Sequence, residues 1–258
     1  MKRFLILFIF LSSLAFSQSD NIPFSNTGGE INIPGLELSL TNPEDGKGLA
    51  FSLRLMLILA LLSLAPSLIL LTTSFLRIFI VLDFIRKALS LQQMPPNQVI
   101  SGISLFLTAF IMWPIFTEIY EDGYKPLAEN EITIEESYKR MEKPLRIFMF
   151  KQLNNNYNTL SMFSDLAKQD KPKTLEDVPT YVLIPAFVLN ELRIAFVIGV
   201  LIFVPFIIID MVIASVLMAM GMIMLPPVMI SLPFKVIVFV LVDGWDLIIR
   251  QMIEGFLN

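Results

Sequence analysis

The stretch LIPAFVLNELRIAFVIGVLIFVPFIIIDMVIASVLMAMGMIMLPPVMISLPFKVIVFVLV, residues 183–242, decides the fold. Its charged residues are Glu191, Arg193, Asp210 and Lys235, and nearly everything around them is apolar. A run of this length far exceeds the roughly 20 apolar residues that one helix needs to cross a bilayer. Leu225-Pro226-Pro227 divides it. Each proline removes a backbone donor and pushes the preceding residue out of the α region. The reading is a helical hairpin with prolines at its tip.

The same pattern occurs upstream. Leu55 to Leu71 and Val99 to Thr117 are free of charge and near spanning length. Between them lies a segment carrying Arg77, Arg86 and Lys87, which ends in a second double proline, Met94-Pro95-Pro96-Asn97. Two hairpins with proline-marked tips follow. An even number of crossings separates the tips, so they face one side. Arg86 and Lys87 assign that side to the cytoplasm by the positive-inside bias. Residues 118–180 hold half of the charges, with Leu145, Phe148, Met149 and Leu153 on one face of a predicted helix over 134–153 and a shorter amphipathic helix over 160–168. Residues 244–258 form a last amphipathic helix, in which Asp246 and Arg250 sit one turn apart.

Composition agrees. Hydrophobic residues make up 55% and charged residues only 16%, against roughly 25% in soluble domains. The mean hydropathy is +0.71, so lipid or protein neighbours must cover the apolar surface. The fold class is an all-α membrane protein: two long helical hairpins with a small helical extracytoplasmic insertion.

The chain contains no Cys and no His. That removes thiolate chemistry, the commonest general base and the commonest metal ligand. Asp, Glu, Lys or Ser chemistry stays open in principle, but no nucleophile–base pair or metal constellation can be written. The expectation is a non-enzyme without cofactor or metal. A net charge of −4 gives no nucleic-acid footprint.

The N-terminus reads as a signal peptide. Lys2 and Arg3 precede the apolar Phe4 to Leu11, and Ala15-Phe16-Ser17 supplies a small-residue cleavage site before Gln18. The expected organisation is therefore a signal peptide (1–17), a flexible extracytoplasmic segment (18–49), a first hairpin (50–119), an extracytoplasmic helical insertion (120–180) and a second hairpin (181–258). The signal peptide also places the mature N-terminus outside the cytoplasm.

Two features could carry function. Ionisable groups facing lipid are expensive, so Glu191, Arg193, Asp210 and Lys235 should face protein or a water-filled path. Glu191 and Arg193 are two apart and cannot pair on one helix. They could form a proton or ion relay, or intersubunit ion pairs that fix an assembly. The second feature is the run of alternating methionines, Met218, Met220, Met222 and Met224, interrupted by Gly221 and Ile223. It could be core filling, a Cu(I) site of thioether ligands, or an adaptable apolar seal built on methionine flexibility.

At these residues the sequence resembles a known family. Leu183-Ile184-Pro185-Ala186-Phe187-Val188-Leu189-Asn190-Glu191-Leu192-Arg193 resembles a signature of the FliP flagellar biosynthesis family. Pro233-Phe234-Lys235, followed after an apolar run by Asp243-Gly244-Trp245, is similar to a second signature. Likeness continues through Ile209-Asp210-Met211-Val212, Gly221 to Pro227, Ser74-Phe75-Leu76-Arg77, Pro95-Pro96-Asn97-Gln98-Val99 and Leu105-Phe106-Leu107-Thr108. The resemblance covers residues 50–257 or nearly so.

It implies a subunit of the flagellar type III export gate in the bacterial inner membrane and basal body. Such a subunit assembles with itself and with FliQ-like and FliR-like proteins, and works with FlhA- and FlhB-like components. Unfolded flagellar subunits are the cargo. The resemblance further implies a pore gasket at Met222, Ile223 and Met224, with turn residues Gly221, Pro226, Pro227, Pro95 and Pro96. Assembly ion pairs would involve Arg77, Glu191, Arg193, Asp210, Lys235 and Asp243. Ile223 stands where the family often has a third methionine, and Asn190 and Val197 replace more polar residues. The resemblance also implies that sister subunits, rather than lipid alone, cover the apolar helices. Alternatives are the homologous subunit of a virulence-type injectisome and, from another class, a small Met-rich copper or ion transporter.

Overall fold

The computed structural model describes residues 32–33, 36–37, 46–153, 157–168, 178–222 and 224–257. The expected signal peptide, residues 1–17, lies outside them. The chain divides into two compact units, Met1–Ile58 and Leu59–Asn258. In the first, β1 (Asn32–Ile33) and β2 (Leu36–Glu37) pair antiparallel, with Ile33 opposite Leu36. All other regular structure among the described residues is helical.

Helix α1 spans Gly46–Leu71. The hydroxyls of Thr72 and Thr73 donate to the Leu68 and Leu70 carbonyls (2.9 and 3.1 Å), satisfying acceptors that a helix end leaves orphaned. Leu59, Leu61, Leu62, Leu64, Leu68 and Ile69 are all exposed. Helix α2 (Phe75–Ala88) behaves oppositely. Ile78, Val81, Leu82 and Ile85 recur at three- and four-residue spacing and are buried. At about 1.5 Å per residue, its 14 residues are too short to span a bilayer.

The first double proline separates α2 from α3 (Asn97–Glu118), for which Pro96 supplies an extended N-cap. Ser104 and Thr108 lie on the buried face of α3 and bond the carbonyls of Ile100 and Ser104, at 2.8 and 2.7 Å. The polar side chains thus satisfy themselves on their own helix. A π-helical turn, Ile119–Tyr124, continues α3 into the short α4 (Lys125–Ala128). At Gly123 a Cβ would stand 2.2 Å from Met141 Cγ, so the turn lies directly on the next helix.

That helix is α5 (Ile134–Gln152), capped by Thr133, whose hydroxyl accepts the Glu136 N–H at 3.3 Å. It buries Phe148 and Met149 on the face read from the sequence, with Leu153 buried just beyond its end. Helix α6 (Tyr157–Leu166) adds Leu160 to the core.

Helix α7 runs from Thr180 to Ala219, and α8 (Pro227–Leu241) returns against it beyond the second double proline. The α2–α7 interface is the principal contact of the fold. Phe84 sits where a Cβ on Gly199 would be only 2.5 Å from its ring, with Phe196 and Phe203 edge-on at 5.3 and 5.9 Å. Glycine is what permits this approach.

The apolar run does not continue straight beyond α8. Asp243 adopts a left-handed φ of 50°, and α9 (Gly244–Leu257) departs at 60°. Among the described residues, three helical segments are long and apolar enough to cross a membrane: Leu53–Leu71, Asn97–Ala128 and Thr180–Ala219. The bent α8–α9 pair makes a fourth if counted as one span. The protein is an all-α membrane protein.

Candidate functional site

The tip between α7 and α8 is built from backbone bonds that leave its side chains outside. Met220 ends α7, and Gly221 takes the left-handed conformation, φ 73°. The Gly221 N–H donates to the Met218 carbonyl (3.0 Å) and the Met222 N–H to the Leu217 carbonyl (2.9 Å). These are the two bonds of a Schellman stop, which needs a residue tolerant of positive φ at Gly221. The turn toward Pro226 carries Met224, which is 98% exposed. Met218, Met220 and Met222 are exposed as well. Ile223 lies outside the described residues.

Two buried polar nodes hold the helices below that tip. In the first, Arg77 of α2 bonds Glu191 of α7 through both carboxylate oxygens, Nε to Oε2 at 2.8 Å and Nη2 to Oε1. Arg77 Nη2 also donates to Gln152 Oε1 at 3.1 Å. The Gln152 amide nitrogen donates to the Phe256 carbonyl at 3.2 Å, and Asn190 donates to the Gln152 carbonyl at 2.9 Å. The Phe256 ring lies 3.9 Å below the Arg77 guanidinium carbon, within cation–π range. Glu191 is fully buried, and Arg77, Gln152, Asn190 and Phe256 nearly so. Four helices from distant parts of the chain meet at this node.

The second node ties the two hairpins together. Lys235 of α8 is 2% exposed and donates to Asp210 Oδ2 of α7 (2.7 Å), Ser90 Oγ (2.8 Å) and the Ala88 carbonyl (3.3 Å). The Ser231 hydroxyl donates to the other Asp210 oxygen at 2.5 Å. All three ammonium protons therefore have acceptors.

The first tip is polar where the second is apolar. Arg86 donates to the Pro95 carbonyl (3.1 Å) and Asn97 Oδ1 (2.6 Å), and also pairs with Asp83. Lys87 reaches Asp83 at 2.6 Å. Partial burial acts to raise the Asp83 carboxyl, but bonds from Lys87 and Arg86 outweigh it and hold the group below its ordinary value. Beside this tip opens a cavity of about 810 Å³, whose lining includes Gln92, Gln93, Gln98 and Ser101.

Of the ions singled out from the sequence, the structure brings Arg77 to Glu191 and Asp210 to Lys235, in both cases within one chain. Arg193 and Asp243 are in neither node, and both side chains are exposed. Gln152, Phe256, Ser90 and Ser231 were not legible as their partners. Gln152 and Phe256 are 104 residues apart, and nothing local marks either.

A family model described as the FliP family matches residues 58–252. The chain is 51% identical to the flagellar biosynthetic protein FliP of Treponema denticola, over the whole length of both. It is 56% identical to that of Treponema pallidum over 87% of this chain and 83% of the relative. With that of Bacillus subtilis it shares 48% identity over 85% of this chain and 98% of the relative. The chain belongs to the FliP family. The FliP match takes in both proline tips, the methionine loop, Arg77, Glu191, Asp210, Lys235 and Asp243. Phe256, which closes the first node, lies just past its end.

Proposed function

We propose that the chain is a non-catalytic, pore-forming subunit of the flagellar export gate, passing unfolded flagellar subunits across the bacterial inner membrane. FliP family membership makes it a membrane component of the flagellar export apparatus. The pore-forming role is supported by one observation above all: the methionine-rich tip between α7 and α8. Its backbone is closed by its own hydrogen bonds, yet Met218, Met220 and Met224 project outward and contribute little to the fold. Flexible thioethers can pack against one another when the path is empty and yield when a polypeptide passes.

In this reading, Met222 and Met224, with Ile223 between them in sequence, form the gasket at the constriction. Pro226, Pro227 and Gly221 set its turn. Hairpins over residues 50–119 and 181–258 face other subunits, the insertion over 120–180 is extracytoplasmic, and so is the mature N-terminus. Copies of the chain assemble with FliQ-like and FliR-like subunits, and FlhA- and FlhB-like components act with them. The exposed apolar faces of α1 and α7 suit such coverage, with lipid taking the remainder.

The test replaces Met222, Ile223 and Met224 together by Ala in cells carrying the otherwise intact gene. The expected result is continued filament export with leakage of small ions across the membrane. Unchanged ion tightness would remove the gasket role. A deletion strain that still builds filaments would remove the assignment as a whole.

A further inference from the structure

From Leu183 to Asp243, the apolar run and the turn that ends it, the chain contains five charged residues: Glu191, Arg193, Asp210, Lys235 and Asp243. Glu191 is neutralised by Arg77, and Lys235 by Asp210, inside one chain. What remains is one cation, Arg193, and one anion, Asp243. Neither has a hydrogen bond or ion pair from its side chain to any described residue. Both are exposed, and both stand among exposed apolar side chains: Leu189, Phe196 and Val197 around Arg193, Leu241, Val242 and Trp245 around Asp243. A lone charge in such a setting is costly unless it meets an opposite charge or water. The two leftovers are of opposite sign.

We propose that Arg193 of one copy pairs with Asp243 of the neighbouring copy, so that the exposed faces of α7 and the α8–α9 turn form the interface between sister subunits. The inference rests on the self-assembling gate read above and names the contact that holds it. Guanidinium and carboxylate match in geometry and can bond through two parallel N–H···O contacts. Asp243 is fixed for this task by its backbone. Its carbonyl accepts the Leu247 N–H at 3.1 Å, and the left-handed turn leaves it exposed at the 60° break.

The heights of the two residues also constrain how copies sit. Counted along helices at about 1.5 Å per residue, Arg193 lies roughly 40 Å from the methionine tip and Asp243 roughly 26 Å. Copies aligned level with one another, with upright hairpins, would hold the two groups apart. Pairing therefore requires neighbouring hairpins to sit offset along their length. The contact uses two different patches, one on each copy, so it propagates from subunit to subunit.

The test co-expresses two differently tagged full-length chains, one carrying Arg193→Cys and one carrying Asp243→Cys, in flagellated cells. The chain has no cysteine of its own, so any disulfide-linked mixed dimer reports this contact. The expected result is a mixed dimer in membranes under mild oxidation, and none between two Arg193→Cys chains. A charge-exchange series gives the second readout. Arg193→Glu or Asp243→Arg alone lowers the oligomeric fraction about tenfold, and the two together restore it. Normal assembly of each single reversal, or of cysteine chains that never crosslink, would overturn the pairing while leaving the gate reading intact. A wild-type chain that stays monomeric in the same membranes would overturn both.

Discussion

The two halves of helix α7 are both predominantly apolar in sequence and are used in different ways. From Val182 to Gly199 the helix buries Val182, Leu183, Ala186, Phe187, Asn190, Glu191, Ala195 and Gly199. From Val200 to its end, only Phe206 and Leu217 are buried. Small and polar residues distinguish them: Gly199 lets Phe84 of α2 approach, and Asn190 and Glu191 bond across to other helices. The distal half is broad, branched and apolar, and Val204, Ile208, Met211 and Val212 are left outside. The proximal half supplies most of the buried residues of α7 while Leu189, Arg193, Phe196 and Val197 face outward, whereas the distal half is almost entirely uncovered within the chain.

The contrast breaks most severely at the ion pair. Glu191→Ala strands the buried Arg77 guanidinium and should cost about 3–5 kcal/mol, read as thermal unfolding of the detergent-solubilised chain. Replacing both residues by well-packed apolar ones should cost less than either single change. Phe256→Ala comes next. It removes a buried ring from beneath Arg77 and should cost about 3 kcal/mol in the same assay.

Gly199→Val forces a side chain into the Phe84 ring and should destabilise the monomer by about 1–3 kcal/mol. Val212→Ala, an apolar change in the distal half, should move monomer stability by less than about 0.5 kcal/mol. If Val212→Ala destabilises the monomer as much as Gly199→Val, the division of α7 fails.

The smallest effect belongs to the first tip. The Asp83 carboxyl is depressed below its ordinary value of 3.8, so the carboxylate form is favoured by folding. Its contribution is complete above the unfolded value and is lost as pH falls through the lower folded one. Asp83→Asn should therefore flatten the acid limb of the stability curve and leave it unchanged near neutrality apart from a constant offset.

Much of this was legible in the sequence, for identifiable reasons. Double prolines mark chain breaks wherever they occur, so both tips could be read. A charge inside an apolar run is costly enough to demand a partner, so Glu191, Arg193, Asp210 and Lys235 stood out before any partner was known, whereas Arg77 entered only through the family resemblance. Their partners did not stand out. Gln152 sits on a mixed helix where a glutamine carries no signal, and Phe256 is one phenylalanine among many.

The break at Asp243-Gly244 also escaped the apolar reading, although Asp-Gly is a turn signal. Without it α8 looks like part of a span. With it, α8 is 15 residues long and needs α9 to complete a crossing. Asn190, Glu191 and Arg193 make the proximal half of α7 the less apolar one, but hydropathy alone does not say which neighbours bury it.

The central claim, that the distal half of the second hairpin meets its own copies around a methionine-lined constriction, is tested most directly at Met224. A single Met224→Cys in the assembled apparatus, treated with a short bifunctional thiol reagent in native membranes, should give crosslinked copies of this chain. Passage of a stalled export substrate through the gate should abolish that product. Met224→Cys that labels freely from the bulk aqueous phase, forms no copy-to-copy product and is indifferent to the stalled substrate would contradict the account.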